Sequence, residues 1–156
     1  MKRLIAVFLI MLLLTGCMGK KQDQPMSTYH FQGISLTVPD GLDVDEQEHK
    51  LIIESEDWQV TFSIGTVSGQ GSSMTPWQAF MMVMKDTYRD FKETTFCHQE
   101  AVQFTDDDTG LCIYTYMQDP NSSQLLAAKL FDYHGNHHDL LKNENVAKIL
   151  SSCTFE

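Results

Sequence analysis

Trp58, Val60, Phe62 and Ile64 alternate with Gln59, Thr61 and Ser63. A period of two puts the four apolar side chains on one face of an extended chain and the polar ones on the other, so the stretch fits a strand with one dry side. The same alternation runs through Ile34, Leu36 and Val38, where Phe31–Val38 reads as one half-buried strand stopped by the turn chemistry of Pro39-Asp40-Gly41. Lys50–Glu54 carries Leu51, Ile52 and Ile53 and makes a further strand, whereas the acidic run Asp43–Glu48 reads as a solvated loop. Gly65–Ser73 is rich in glycine and serine but lacks the phosphate-cradling pattern of a P-loop, so it reads as a connection.

The period then changes. Thr75 is placed to cap a helix, Pro76 suits its first position, and Gln78 stands where a capping box needs it. Trp77, Phe80, Met81, Met84, Tyr88 and Phe91 recur at steps of three and four and form one broad apolar face, which Met82 and Val83 are expected to widen. Lys85, Asp86, Arg89, Asp90 and Lys92 mark the wet side. A methionine-rich face of this kind suits a helix lying on a sheet better than an open recognition groove. Glu100–Phe104, Leu111–Met117 and Gln124–Tyr133 follow as strands, the last despite the helical propensity of Leu125–Leu130, because Leu126, Ala128 and Leu130 alternate. Asn143–Ser152 closes as a helix with Val146, Ile149 and Leu150 inward, followed by a short Cys153-Thr154-Phe155 extension. The fold class is therefore α+β, an antiparallel sheet with packed helices.

Residues 1–16 are expected to be no part of that fold. Lys2 and Arg3 form a positive start, Leu4–Leu14 is an apolar run too short to cross a bilayer comfortably, and Leu14-Thr15-Gly16-Cys17 closes it. The last four residues resemble the lipobox of bacterial lipoproteins, in which the cysteine thiol carries a diacylglycerol thioether. That resemblance implies residues 1–16 as a signal peptide, 17–28 as lipidated Cys17 with a flexible tether, and 29–156 as a single domain. Two or three acyl chains on Cys17 hold a protein stably at a membrane where one would not. The expected location is extracytoplasmic, anchored to the cell membrane or the outer membrane. Met18, in place of the aspartate that retains lipoproteins in a Gram-negative inner membrane, favours the outer membrane in such a host.

With a formal net charge of -10, the chain is unsuited to nucleic acid, whose phosphates need lysine and arginine. Besides Cys17, it holds Cys97, Cys112 and Cys153. An odd count leaves at least one thiol unpaired within a monomer, spacing does not select a pair, and buried small hydrophobes are the expected role. The Asp106-Asp107-Asp108 run lacks the alternating ligands and distal glutamate of an EF-hand and is expected to be a solvated acidic turn. His134-Gly135-Asn136-His137-His138-Asp139 is the most chemically suggestive stretch, because imidazoles and a carboxylate could hold zinc or copper. Adjacent His137 and His138 point to opposite faces of a strand, however, so a polar turn is the simpler expectation, and no metal or cofactor is assigned. His30, His49 and His98 cannot be brought together from the sequence.

The order of strands and helices, with the opening Ile34-Ser35-Leu36-Thr37-Val38-Pro39-Asp40-Gly41 and the closing Lys148–Phe155, resembles the PsbP-like fold, also found in lipoproteins of the DcrB type. Over Tyr29–Phe155 the resemblance implies an α/β/α sandwich and a binding, assembly or accessory role without catalytic residues. An unrelated α+β sandwich is the alternative fold. No nucleophile elbow or zinc-protease helix is present, so the expected function is a non-enzymatic binding or assembly module with an envelope protein partner. The alternatives are an envelope hydrolase or a metal-binding protein using His134, His137 and His138. The lipobox reading predicts that Cys17→Ala abolishes incorporation of labelled fatty acid; undiminished label in the variant would refute it.

Overall fold

The computed structural model describes residues 24–67 and 73–156; Cys17, the lipobox and most of the expected tether lie outside them. The fold is α+β, with two antiparallel sheets and two helices among the described residues. A seven-stranded sheet contains β3 (Asp43–Gln47), β4 (Lys50–Glu54), β5 (Trp58–Thr66), β6 (Lys92–Phe96), β7 (Gln99–Asp106), β8 (Gly110–Tyr116) and β9 (Gln124–Asp132), in the order β3-β4-β5-β9-β8-β7-β6. Two meanders, β3 to β5 and β6 to β9, are thus joined by pairing of β5 with β9 from Trp58↔Asp132 to Thr66↔Gln124. Helix α1 (Pro76–Thr87) lies between the meanders in sequence, and α2 (Glu144–Ser152) follows a 3₁₀ turn over His137–Lys142.

The smaller sheet is β1 (Met26–Phe31), β2 (Ile34–Pro39) and β10 (Thr154–Phe155), with β2 in the middle. Its first strand falls partly in the segment read as tether. Phe31–Val38 is a hairpin rather than one strand, because Gln32 and Gly33 both take positive φ, 47° and 85°, as a two-residue turn requires. The entry to β1 is fastened to Asp40: its N–H donates to the Pro25 carbonyl at 2.9 Å, its carbonyl accepts from Gln24 Nε2 at 2.8 Å, and its carboxylate accepts from Ser27 Oγ at 2.9 Å.

Alternation determines the main core. Leu51, Ile53, Val60, Phe62, Leu111, Leu126, Ala128 and Leu130 face Ile34, Leu36 and Val38 of β2 and Val146 and Ile149 of α2, all buried. Each large aliphatic side chain so buried contributes about 1.5–3 kcal/mol. The opposite face of β7 to β9 carries Val102, Phe104, Cys112 and Leu125, which pack with Trp77 beneath α1. The expected capping box is present: Thr75 Oγ1 accepts from Gln78 N at 3.2 Å, and Gln78 Oε1 accepts from Thr75 N at 3.0 Å.

Several local expectations are corrected. Met82 and Val83 do not widen the apolar face of α1; they are 51% and 52% exposed. At 100° per residue they project about 140° and 120° away from Trp77, off the stripe formed by Phe80, Met81 and Met84. The acidic run from Asp43 is not a loop but edge strand β3, whose Val44 turns towards the core while its carboxylates remain in water. Charge is tolerated there because an edge strand has a single neighbour, and it discourages pairing with another chain. Lys92–Phe96, at the other edge, is a strand that alternation did not reveal.

Gly110 opens β8 with φ +82°, and a Cβ on it would lie 2.3 Å from the Leu130 carbonyl oxygen. The neighbouring atom belongs to the backbone of β9 and cannot swing aside. Gly110→Ala is therefore expected to destabilise the domain by more than the roughly 1–3 kcal/mol of a strained backbone alone; urea unfolding that differs by less than 1 kcal/mol from the parent would contradict this close approach.

Candidate functional site

Strand alternation exposes one part of the large sheet to solvent. On the face away from the main core, β4 presents Lys50 and Ile52, β5 presents Gln59, Thr61 and Ser63, and β9 presents Lys129 and Phe131, in register through Ile52↔Thr61↔Lys129 and Gln59↔Phe131. Among the described residues α1 and its C-cap residue Tyr88 roof this face over β7, β8 and the Leu125 end of β9, through ring contacts of Trp77 with Tyr116 (5.5 Å), Phe80 with Tyr114 (5.1 Å) and Tyr88 with Phe104 (4.2 Å). A helix is about 10–12 Å across and strands are about 4.8 Å apart, so one helix covers two or three strands of seven. The uncovered half holds a shallow depression of about 410 Å³, walled at one side by Asp108 and Thr109 and at the other by Tyr133.

This depression is chemically mixed. Ile52 and Phe131 are half-buried apolar side chains that line it. Lys50 and Lys129 lie on the same face, two strands and two residues apart, which separates their Cα atoms by about 12 Å. Among the described residues lysine ion pairs join Lys142 to Asp139 at 2.7 Å and Lys148 to Glu144 at 3.2 Å, but none involves Lys50 or Lys129. At the rim the Tyr133 hydroxyl donates to the Glu54 carboxylate, which raises the tyrosine above its ordinary range. Tyr133 also stands edge-on to Phe131, with ring centroids 5.9 Å apart.

The Asp108–Thr109 wall is held by Asp106. Its Oδ1 accepts from the N–H groups of Asp108 and Thr109 at 3.1 and 3.0 Å and from the Thr109 hydroxyl at 2.9 Å, while Oδ2 accepts from Tyr88 at 2.9 Å. Of the three aspartates only Asp107 and Asp108 are exposed. The hydrogen bond from Tyr88, followed by those of the turn, holds the Asp106 carboxyl below the usual range, and the same bond raises Tyr88.

The histidine-rich stretch does not converge. His134 Nε2 lies 3.2 Å from Asp57, His137 Nδ1 accepts from the Asp132 N–H at 2.9 Å with its ring against Phe131, His138 Nε2 lies 2.9 Å from Thr105 Oγ1, and Asp139 pairs with Lys142. The 3₁₀ turn directs His137, His138 and Asp139 around an axis rather than to one point, and His134 lies before it. Among the described residues no group of three or more histidines, cysteines or carboxylates could hold a metal ion. His30 and His49 pair elsewhere, with Glu156 and Glu48, and His98 stands exposed in the β6–β7 turn.

One hydroxyl, imidazole and carboxylate do meet. Thr105 Oγ1 donates to Asp90 Oδ2 at 2.6 Å and accepts from His138 Nε2, which is itself 3.6 Å from Asp90. A nucleophile relay needs the imidazole between hydroxyl and carboxylate, using its two nitrogens in turn. Here one nitrogen faces both partners, and the hydroxyl proton goes directly to Asp90. Burial pushes that carboxyl up, yet hydrogen bonds from Thr105 outweigh it and hold Asp90 below the usual range, which makes it a weak base. The cluster fastens the segment after α1 to β7.

Sequence reasoning passed over Lys50, Ile52, Lys129, Phe131 and Tyr133 as a group. The available signal was an apolar residue out of phase: Ile52 between Leu51 and Ile53, and Phe131 after Leu130. The chain matches no protein-family model and no curated protein.

The Tyr88–Asp106 bond sets a pH prediction. A lowered carboxyl contributes stability above its unfolded pKa of about 3.9, lost as pH falls through the folded value; a raised tyrosine contributes below about 10, lost as pH rises through its folded value. Tyr88→Phe is expected to cost about 1 kcal/mol in urea unfolding at pH 7, with the difference shrinking below pH 4. A pH-independent difference would show that the loss does not come from the bond to the Asp106 carboxylate.

Proposed function

We propose that the chain is an extracytoplasmic lipoprotein, anchored through Cys17, whose domain is a non-enzymatic binding or assembly module, and that the open half of the large sheet is its contact surface. The observation that carries this reading is the depression in which Ile52 and Phe131 lie beside Lys50 and Lys129, neither of which makes an ion pair among the described residues. Apolar side chains at the centre give a partner area to bury, and two lysines held at a defined spacing select carboxylates on it. Asp43, Asp45, Glu54 and Asp108 surround that centre and steer a partner with basic flanks. The anchor adds effective concentration, so modest intrinsic affinity suffices against another envelope protein.

The fold is, in the same proposal, an α/β/α sandwich of the PsbP-like kind. Support comes from the element order and from the opposite faces of the large sheet on which α1 and α2 pack. No helix among the described residues is long and apolar enough to cross a membrane.

A photo-crosslinking residue at Thr61 in the full-length chain tests the surface in intact cells. A discrete protein adduct is expected from Thr61 and not from Ser151 on α2, and Lys129→Glu is expected to remove it without lowering the melting temperature. Equal adducts from both positions, or one indifferent to Lys129→Glu, would refute the assignment.

A further inference from the structure

We propose that Cys97 and Cys153 form an intrachain disulfide that ties the β6–β7 turn to the segment between α2 and β10. The two Sγ atoms are 2.7 Å apart although the residues are separated by 56 positions. Both side chains are buried, 7% and 1% exposed, and they face each other inside the main core. Cys112, the third cysteine of the domain, is engaged elsewhere, with its sulfur 3.3 Å from Thr109 Oγ1 and 3.7 Å from the Gly110 carbonyl beneath α1. The fold thereby selects one pair of the three that the sequence left open.

A second observation comes from the backbone. Register Phe96↔Gln99 leaves Cys97 and His98 as a two-residue hairpin turn, with φ of 49° and 63°. Both positions of such a turn favour glycine or asparagine, and the equivalent Gln32-Gly33 turn uses one glycine. A cysteine and a histidine there form a locally unfavourable turn, of the sort that persists when its surroundings hold it. The cross-link supplies that hold. It also joins the two sheets: β6 is an edge of the large one, and β10 is an edge of the small one.

The chemistry needs a disulfide oxidant, which an extracytoplasmic compartment provides, and to that extent the inference rests on the proposed location. One cysteine, as thiolate, attacks a sulfur of the oxidant RSSR and releases RS⁻. The second thiolate then attacks the mixed disulfide at the protein sulfur and releases the other RS⁻. Two protein thiols lose two protons and two electrons, and RSSR becomes two RSH. In the folded chain both sulfurs are buried, out of reach of an external thiol or disulfide, and the hydrogen bond to Cys153 and burial push the Cys97 thiol upward. Exchange is confined to the unfolded or opening chain, and the bond is structural, not a reversible redox centre.

Full-length chain extracted in detergent from its own membranes, reduced and then refolded with oxidised glutathione, tests the pairing by alkylation and peptide mapping. The expected product links Cys97 to Cys153 and leaves Cys112 as a thiol. Added reductant is expected to lower the melting temperature of this oxidised form by about 10 °C, whereas the double variant Cys97→Ala with Cys153→Ala does not respond to reductant. Alkylation of both cysteines after glutathione treatment, or a link to Cys112, would overturn the proposal. Mapping the chain quenched directly from cells separates the two readings: the link present there supports both, while free thiols in cells from a chain that forms the link in glutathione overturn the location and uphold the pairing.

Discussion

The pairing of β5 with β9 is the contact on which the large sheet depends. Each meander closes locally through short turns, but the two become one sheet only when Trp58–Thr66 meets Gln124–Asp132 across a long stretch of chain. That closure is entropically costly, and it is repaid because both strands turn core residues to one side: Val60 and Phe62 from β5, Leu126, Ala128 and Leu130 from β9. The same seam divides the opposite face. Among the described residues α1 lies over Leu125 at one end of β9, while Gln59 and Thr61 of β5 and Lys129 and Phe131 farther along β9 line the open depression. The roofed and open halves thus follow from two meanders sharing one crossover helix.

What the sequence made legible is what burial enforces. β4, β5 and β9 were readable because each has an apolar row that must face the core, and the start of α1 was readable because Thr75, Pro76 and Gln78 each answer a specific need of an unsatisfied helix end. Even the helix-prone run Leu125–Leu130 reads as a strand once its alternate residues are counted. β1, β3 and β6 escaped for the complementary reason. Edge strands have one neighbour and, in Asp43–Gln47, a single inward Val44, so their sequences are free to look like loops. Register within Phe31–Val38 was hidden by Gln32, whose positive φ is not a common property of glutamine.

The site was less legible than the fold. Histidines and aspartates advertise chemistry by composition, and His134 to Asp139 drew notice on that ground; whether such groups converge is a question of geometry, which the 3₁₀ turn decides against. Lys129 carries no motif. Its meaning arises from its place opposite Thr61, from the missing roof, and from the absence of an acidic partner among the described residues. Cys97 and Cys153 are a similar case, since only the folded chain brings the two sheets' edges together.

The fastening of Gln24, Pro25 and Ser27 to Asp40 bears on how the domain carries load. A chain held at a surface from upstream of residue 24, as proposed for this one, would be pulled whenever a bound partner moved. Rungs of a hairpin peeled from its open end break one after another, each bearing the whole force, and β1 with its rungs from Met26↔Pro39 onward is such a hairpin. Ahead of that ladder the Asp40 bonds to Gln24 and Pro25 take up the force, and Ser27 adds a third bond to the same residue from within it. Asp40 directly follows β2, whose Ile34, Leu36 and Val38 are rooted in the main core, so tension entering at residue 24 meets a residue tied to that core before it reaches the β1–β2 ladder.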